Sequence, residues 1–182
     1  MILRDFEITR LGNSLISPFD LSCVQPASYY LKLDKTILKP TPANVPVDLR
    51  FHEPKDFMES RQIDDGYILF PGDSVLANTV EYLVVPPDMV ARVEGKSSLG
   101  RLFIAVHVTA GFVDPGFKGQ ITLEIVNLGK WSVNLYPYMK IAQVNFHQME
   151  GPCSVPYGSS GLGSHYQGQT GPVASSGKRK DV

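Results

Sequence analysis

The sequence predicts an all-β fold, a distorted β-barrel or jelly roll with few short helices, and two observations support this prediction. From Tyr67 onward, short runs of β-branched and aromatic residues alternate with turn signals such as Pro71-Gly72-Asp73, a spacing typical of barrels and sandwiches. Between Pro18 and Pro54, proline recurs often enough to exclude long helices. A parallel βαβ architecture is therefore excluded, because there are no helices to connect parallel strands.

The individual elements follow in chain order. Mixed apolar spacing over residues 4–11 is compatible with one short helix. The predicted strands lie within residues 67–70, 74–85, 89–95, 101–111, 120–127 and 131–149. In the run 120–127, alternation places Ile121, Leu123 and Ile125 on one face and Thr122, Glu124 and Val126 on the other.

Length and charge limit the functions that the chain can have. Its 182 residues fit one domain, or one domain with a tail. The net charge is -1 and the only clustered basic residues are 178–180, so we expect no binding to nucleic acid, which needs a positive field.

No apolar run approaches about 18 residues, so we expect no membrane span and a cytoplasmic protein. Cys23 and Cys153 stand in no pattern typical of a zinc site or a disulfide framework.

The composition changes near residue 155. Residues 1–155 carry the strand pattern, whereas residues 156–182 are rich in Gly and Ser and nearly devoid of aliphatic residues. We therefore expect a barrel domain over 1–155 and a flexible C-terminal tail or lid over 156–182. The lid is the more specific hypothesis, because it assigns a function to the segment. Tyr157, His165 and Gln169 can contact a ligand and lie among glycines, as the residues of a closing segment do.

The segment 94–101 is a candidate phosphate site. It places two hydroxyls and two cations in a turn flanked by glycines, which suits a polyphosphate. It equally suits a polar surface turn with a solvated lysine. A P-loop is excluded, because Val90 stands where the first glycine of that motif should fall.

Glu124 interrupts an otherwise apolar strand and has two interpretations. It is either an outward-facing residue on the solvated side of a half-buried strand or a partly buried carboxylate that exchanges protons with water. The strand pattern leaves both open. The four histidines, His52, His107, His147 and His165, have no spacing that gathers metal ligands, and no serine nucleophile motif is present.

Three segments resemble the dCTP deaminase family: VEGKSSLGR at 93–101, HVTAGFVDPGFKGQITLE at 107–124 and PYGSSGLGSHYQGQ at 156–169. A weaker match extends back to VQPAS at 24–28, so the resemblance covers nearly the whole chain. It implies a dUTPase-like β-barrel over 1–155 that binds the nucleotide and carries the catalytic site. It also implies a homotrimer with active sites between neighbouring subunits, dCTP as substrate, Mg²⁺ accompanying the triphosphate, no zinc, and dTTP as a feedback inhibitor.

Position 124 separates this family from the related dUTPases. The dUTPases carry an apolar residue there, whereas the deaminases carry the glutamate that this chain has. A dUTPase is therefore disfavoured. A non-catalytic nucleotide-binding module is the further alternative, and the joint presence of Glu124, Ser97 and Arg101 argues against it.

The resemblance implies roles for individual residues. Glu124 would deprotonate a water that adds to C4 of cytosine and pass the proton toward the departing ammonia. Ser97, Arg101 and the backbone of Ala110 would lie beside the reacting centre, and Asp114 would accept a hydrogen bond from the 3′-hydroxyl. The full set of implied substrate contacts is Lys96, Ser97, Ser98, Leu99, Gly100, Arg101, Asp114, Thr122, Leu123, Glu124, Gln143, Tyr157, His165 and Gln169.

Two dipeptides bear on the product. Gly111-Phe112 is similar to members of the family that form dUMP, pyrophosphate and ammonia, and a glycine at 111 would leave room for a second water beside the α-phosphate. His107-Val108 is shared with members that release dUTP and ammonia. We therefore expect dUMP, with dUTP as the alternative.

Two residues depart from the family pattern. Tyr30 stands where the N-terminal motif, here residues 26–33, usually has aspartate. His165 stands where dUMP-forming members have lysine. A histidine is largely neutral near pH 7 and would weaken a phosphate contact.

Overall fold

The structure is a computed structural model that describes residues 1–176. Its α-helices are α1 (Asp5–Leu11) and α2 (Ser97–Gly100), and single 3₁₀ turns cover Gly12–Ser14, Leu21–Cys23 and Pro54–Phe57. The short N-terminal helix predicted at 4–11 is confirmed. It begins where the Glu7 carboxylate accepts the Arg4 backbone N–H at 3.1 Å and ends at Gly12, whose φ is 45°. No helix within residues 1–176 is long and apolar enough to cross a membrane.

Antiparallel strands are the main secondary structure of the described chain. They are β1 (Ile16–Ser17), β2 (Val24–Gln25), β3 (Ser28–Pro40), β4 (Met58–Gln62), β5 (Tyr67–Leu69), β6 (Ser74–Val84), β7 (Met89–Gly95), β8 (Ile104–Ala105), β9 (Phe112–Val113), β10 (Lys118–Asn127), β11 (Val133–Leu135) and β12 (Lys140–Gln148). One sheet has the order β8-β10-β6-β3-β12-β7-β9, with β1 on β6 and with β2 and β4 on β3, while β5 pairs with β11. The predicted all-β class is confirmed.

Strand β3 joins the two halves of the sheet. Its residues 29–32 pair with β12, and its later residues pair with β6 and β4. Tyr29, Leu31 and Leu33 are fully buried, as alternation along a strand with one core face requires. The sequence analysis assigned no strand before Tyr67, where the recurrent prolines supported only the prediction that long helices are absent.

The predicted strand at 101–111 was also wrong over most of its length. Only β8 is extended there, and residues 101–103 form the turn after α2. Phe103 has a positive φ of 61°, a conformation that a strand does not contain. The turn therefore interrupts the predicted strand, and only Ile104 and Ala105 pair with β10.

A bulge shapes the strand that carries Glu124. The pairing of β10 with β6 shifts between Gln120 and Thr122, so Ile121 is only half-buried while Leu123 and Ile125 are fully buried. The predicted alternation therefore holds for Leu123 and Ile125 but fails at Ile121. Adjacent residues of a bulge can face the same side, and Ile121 and Thr122 both reach the cavity described below.

The C-terminal segment, residues 156–176, lies along the outer part of β10. Gly168 N–H donates to the Lys118 carbonyl at 2.7 Å, and Gln120 N–H donates to the Gln169 carbonyl at 3.0 Å. Gly171 N–H donates to Oε1 of Gln120 at 2.6 Å. The domain boundary at 155 and the movement of a lid stay predictions. The basic cluster at 178–180 lies outside the described residues.

Candidate active site

A cavity of about 640 Å³ lies between β10, the loop before it and the C-terminal segment. Seven of the predicted site residues line it: Ala110, Phe112, Asp114, Thr122, Glu124, Tyr157 and Gln169. They come from three separate parts of the sequence. The cavity also has apolar lining that the sequence analysis did not single out, namely Pro54, Met58, Leu76, Val113, Phe117, Ile121 and Val173.

Glu124 reaches this cavity from the middle of β10. It is half-buried, and its Oε2 accepts the Val108 backbone N–H at 3.1 Å. Among the described residues, Oε1 accepts no hydrogen bond. One oxygen is therefore held in place and the other can interact with a water or ligand. Of the two interpretations of Glu124, the geometry supports the partly buried carboxylate.

Aromatic side chains form one wall of the cavity. The rings of Phe117 and Tyr157 lie 5.8 Å apart between centroids, and the Tyr157 hydroxyl accepts the Tyr166 N–H at 3.1 Å. On the strand side, Thr122 Oγ1 accepts the Val173 N–H at 3.2 Å. The cavity thus combines a flat apolar wall with a few fixed polar groups, as small-molecule sites commonly do.

Gln169 links the C-terminal segment to the cavity. Its Nε2 donates to the Gln120 carbonyl at 2.6 Å, whereas its Oε1 is buried and has no hydrogen-bond partner among the described residues. A buried polar atom without a partner carries a free-energy cost, so the position of this side chain lowers the stability of the segment slightly.

The predicted residues of the 96–101 turn do not line this cavity. Leu99 is buried and anchors α2, whereas Ser97, Ser98, Gly100 and Arg101 are exposed. Lys96 Nζ donates to Ser98 Oγ at 2.6 Å. Within one chain, the structure therefore does not bring this turn to the Glu124 cavity.

Three other predicted contacts also lie away from the cavity wall. Gln143 is on β12, where its Oε1 accepts the Ser28 hydroxyl at 3.1 Å. His165 is exposed, with its ring 6.2 Å from that of Tyr166. Leu123 is fully buried in the core, so its side chain is not available to a ligand.

Gly111 packs closely against β7 and His107. A Cβ at this position would lie 2.6 Å from the Val93 carbonyl oxygen and 3.2 Å from Cε1 of His107. A larger residue at position 111 would therefore clash with its neighbours, and room for a second water beside the α-phosphate stays a prediction. The close approach also lets the Val93 N–H donate to the Gly111 carbonyl at 2.7 Å.

One buried carboxyl group lies outside the cavity and was missed by the sequence analysis. Glu81 on β6 is 1% exposed, and its Oε2 accepts the Lys32 N–H at 2.8 Å. Burial raises the pKa of Glu81 to about 7, which the Lys32 N–H only partly opposes. Its place on the core face of a mostly apolar strand was the signal that could have identified it.

Comparison with known proteins places the chain in a family. The dCTP deaminase-like family model matches residues 2–149. The chain belongs to the dCTP deaminase-like family. This match includes β10 and the turn at 96–101, and the predicted family and deaminase class are confirmed.

Individual relatives cover almost the whole chain. A protein named dCTP deaminase from Natronomonas pharaonis is 46% identical over 186 residues, covering 96% of this chain and 94% of its own length. A protein named dCTP deaminase, dUMP-forming, from Halobacterium salinarum is 48% identical over 185 residues, with the same two coverages.

A solved structure supports the fold. The crystal structure of 2′-deoxycytidine 5′-triphosphate deaminase from Agrobacterium tumefaciens has a TM-score of 0.67 to this structure at 24% identity. The similarity covers 81% of this chain and 48% of that chain, so the present chain spans about half of its length.

Among residues 1–176, no group of three or more His, Cys, Asp or Glu side chains is arranged to hold a metal ion. The predictions of Mg²⁺ with the triphosphate and of a reaction without zinc stay predictions.

Proposed function

We propose that this chain hydrolyses dCTP to dUMP, pyrophosphate and ammonia, consuming two waters. The observation that carries the proposal is the half-buried Glu124, held by the Val108 N–H at the wall of a cavity large enough for a nucleoside. Membership of the dCTP deaminase-like family supports the substrate. The name of the Halobacterium salinarum relative supports dUMP as the product.

Deamination requires one carboxylate that both accepts and donates a proton. Glu124 takes a proton from a water while the water oxygen bonds to C4 of the cytosine ring. The carboxyl group passes this proton to N3, whose double bond to C4 has become a single bond. It then takes the proton of the new C4 hydroxyl and delivers it to the amino nitrogen, so that the C4–N bond breaks, ammonia leaves and the C4 carbonyl of uracil forms. The free Oε1 is the oxygen available for these transfers.

The cavity has groups suited to the rest of the nucleoside. Phe117 and Tyr157 provide an apolar wall for the base, and Ala110 lies near Glu124 in the same cavity. Asp114, which is exposed at the cavity, accepts a hydrogen bond from the 3′-hydroxyl of deoxyribose. A ribonucleotide has an additional 2′-hydroxyl against this apolar lining, so we expect preference for deoxyribose.

A neighbouring copy of the chain completes the site. The proposed phosphate and catalytic residues of 96–101 do not line the Glu124 cavity of their own chain, so a second copy is needed to place Ser97 and Arg101 at the reacting centre. A ring of three subunits with head-to-tail contacts satisfies this need for every copy. Mg²⁺ enters with the triphosphate, as is usual for this ion, and dTTP competes through the shared deoxyribose and triphosphate.

Incubation of the purified protein with dCTP and Mg²⁺, with products resolved by chromatography and phosphorus NMR, tests this proposal. Equal amounts of dUMP and pyrophosphate without accumulation of dUTP support it. Accumulation of dUTP supports deamination alone, the activity suggested by the name of the Natronomonas pharaonis relative. Absence of any turnover, with nucleotide binding retained, contradicts an enzymatic function.

A further inference from the structure

A second cluster of polar and charged residues lies at the junction of β3, β12 and the end of β7. It contains Ser28 and Tyr30 from β3, Lys140 and Gln143 from β12, and Lys96, which follows β7. We call these residues the Tyr30 cluster. Tyr30 and Gln143 are paired across the two strands, and Gln143 also donates to the Gly95 carbonyl at 3.3 Å. The sheet therefore fixes the relative positions of these groups.

The aromatic ring of Tyr30 lies next to two ammonium groups. Lys96 Nζ is 5.6 Å and Lys140 Nζ is 5.4 Å from the ring centroid, within the range of cation–π attraction. Each ammonium also has one hydrogen bond, from Lys96 to Ser98 Oγ at 2.6 Å and from Lys140 to the Ser22 carbonyl at 2.7 Å. Each can therefore donate further hydrogen bonds, because an ammonium has three N–H groups.

The charge of these two lysines is not compensated by nearby acids. Asp20, two residues before Ser22, is paired with Lys32. Glu94 on β7 is 3.8 Å from Arg92. Among the described residues, neither Lys96 nor Lys140 forms a salt bridge. An aromatic face attracts an ammonium without neutralising it, so the cluster holds two positive charges that an anion can bind.

We propose that Lys140 is an additional contact for the phosphate chain of the nucleotide and that Tyr30 is a positioning residue for Lys140 and Lys96. The inference rests on the proposed function, because that function supplies the triphosphate. The ring holds two flexible lysine side chains in place before the ligand arrives, which reduces the entropy lost on binding.

The proposal predicts an effect on binding with little effect on chemistry. Lys140→Gln and Tyr30→Leu should each raise KM for dCTP and the Kd for inorganic tripolyphosphate by about tenfold, as expected for loss of one charge-assisted contact. The value of kcat should stay within about twofold. Tyr30→Phe keeps the ring and should restore both constants, and Lys35→Gln, at an exposed position of β3, is the charge-matched control.

Steady-state kinetics with dCTP and calorimetry with tripolyphosphate, both in Mg²⁺, separate the outcomes. If the unmodified protein turns over no dCTP, the proposed function fails, while tripolyphosphate binding still tests the cluster. An unchanged tripolyphosphate Kd in Lys140→Gln would overturn the inference, and so would a Tyr30→Phe variant as weak as Tyr30→Leu. If Tyr30→Leu does not fold, Lys140→Gln with a native circular dichroism spectrum decides the matter.

Discussion

At the scale of single residues, Glu124 is the group on which the proposed chemistry depends. Glu124→Gln keeps the side-chain shape and an oxygen that can accept the Val108 N–H, but it cannot accept a proton from water. We expect kcat to fall by at least about a thousandfold, in the range for loss of a general base, while the Kd for dCTP changes little. Single-turnover kinetics and calorimetry measure the two effects. Retained turnover in this variant would assign the proton transfers to another group.

Glu81 makes a separate contribution, to stability and not to chemistry. Its pKa is about 7 in the folded chain, above the ordinary value of 4.5. Between these values the folded state binds more protons than the unfolded state, so stability falls as the pH rises from about 4.5 through 7. Above the folded pKa, Glu81 is ionised in both states and no longer makes stability depend on pH. Stability should therefore decline over this window.

Glu81→Gln removes the titration but keeps an oxygen that can accept the Lys32 N–H. As the pH rises from 4.5 to 8, the unfolding free energy of the variant should increase by on the order of 2–3 kcal/mol relative to that of the unmodified protein. Urea denaturation at a series of pH values measures this difference. Glu150→Gln, at an exposed position, controls for the change in net charge, and parallel curves for Glu81→Gln and the unmodified chain would contradict the assignment.

At the scale of elements, the contact between β7 and the loop before β9 depends on Gly111. Gly111→Ala places a Cβ 2.6 Å from the Val93 carbonyl, and a backbone atom cannot rotate away as a side chain can. We expect a loss of about 1–3 kcal/mol of unfolding free energy, as is typical of overpacking. Gly151→Ala is the matched control, because a Cβ there meets no atom within 4 Å. Equal melting temperatures for the two variants would show that the loop accommodates the added methyl group without loss of stability.

The C-terminal segment is an element that contributes both hydrogen bonds and cavity lining. A chain ending at Pro156 loses Tyr157, Gln169 and the hydrogen bonds to β10. We expect the barrel to remain folded and kcat/KM for dCTP to fall by at least about a hundredfold, since several contacts are lost. A chain ending at Ser176 keeps these contacts and is the control. Full activity in the shorter chain would place the substrate elsewhere.

At the scale of the whole molecule, two incomplete subunits should complement one another. In the proposed ring of three subunits, Glu124→Gln and Arg101→Ala should each inactivate every site when all three subunits carry the same substitution. After joint refolding in equal amounts, some sites combine an intact Glu124 with an intact Arg101 from a neighbour. We expect recovery of about a quarter of the normal activity, the statistical share for sites between two subunits. Light scattering verifies the trimer, and no recovery in mixed trimers would place both residues in one subunit's site.

The sequence by itself determined the family and the strand that carries Glu124. Motifs over 93–101, 107–124 and 156–169 carried the resemblance, and the family match over residues 2–149 confirmed it. Turn residues and β-branched runs are local signals, so β6, β7 and β10 were recognisable with small errors at their ends. Strand β3 was not assigned, because the prolines that recur between Pro18 and Pro54 supported only a prediction about helices there.

Tertiary structure alone decided which of the predicted residues meet. Ala110, Asp114, Glu124 and Tyr157 are far apart along the chain or on different elements, and only the pairing of strands and the path of the C-terminal segment bring them to one cavity. The same packing leaves 96–101 outside that cavity and brings the Val93 carbonyl close to Gly111. It also places Lys140 beside Tyr30. Such contacts depend on the register and bulges of the sheet, which no local pattern of residues specifies.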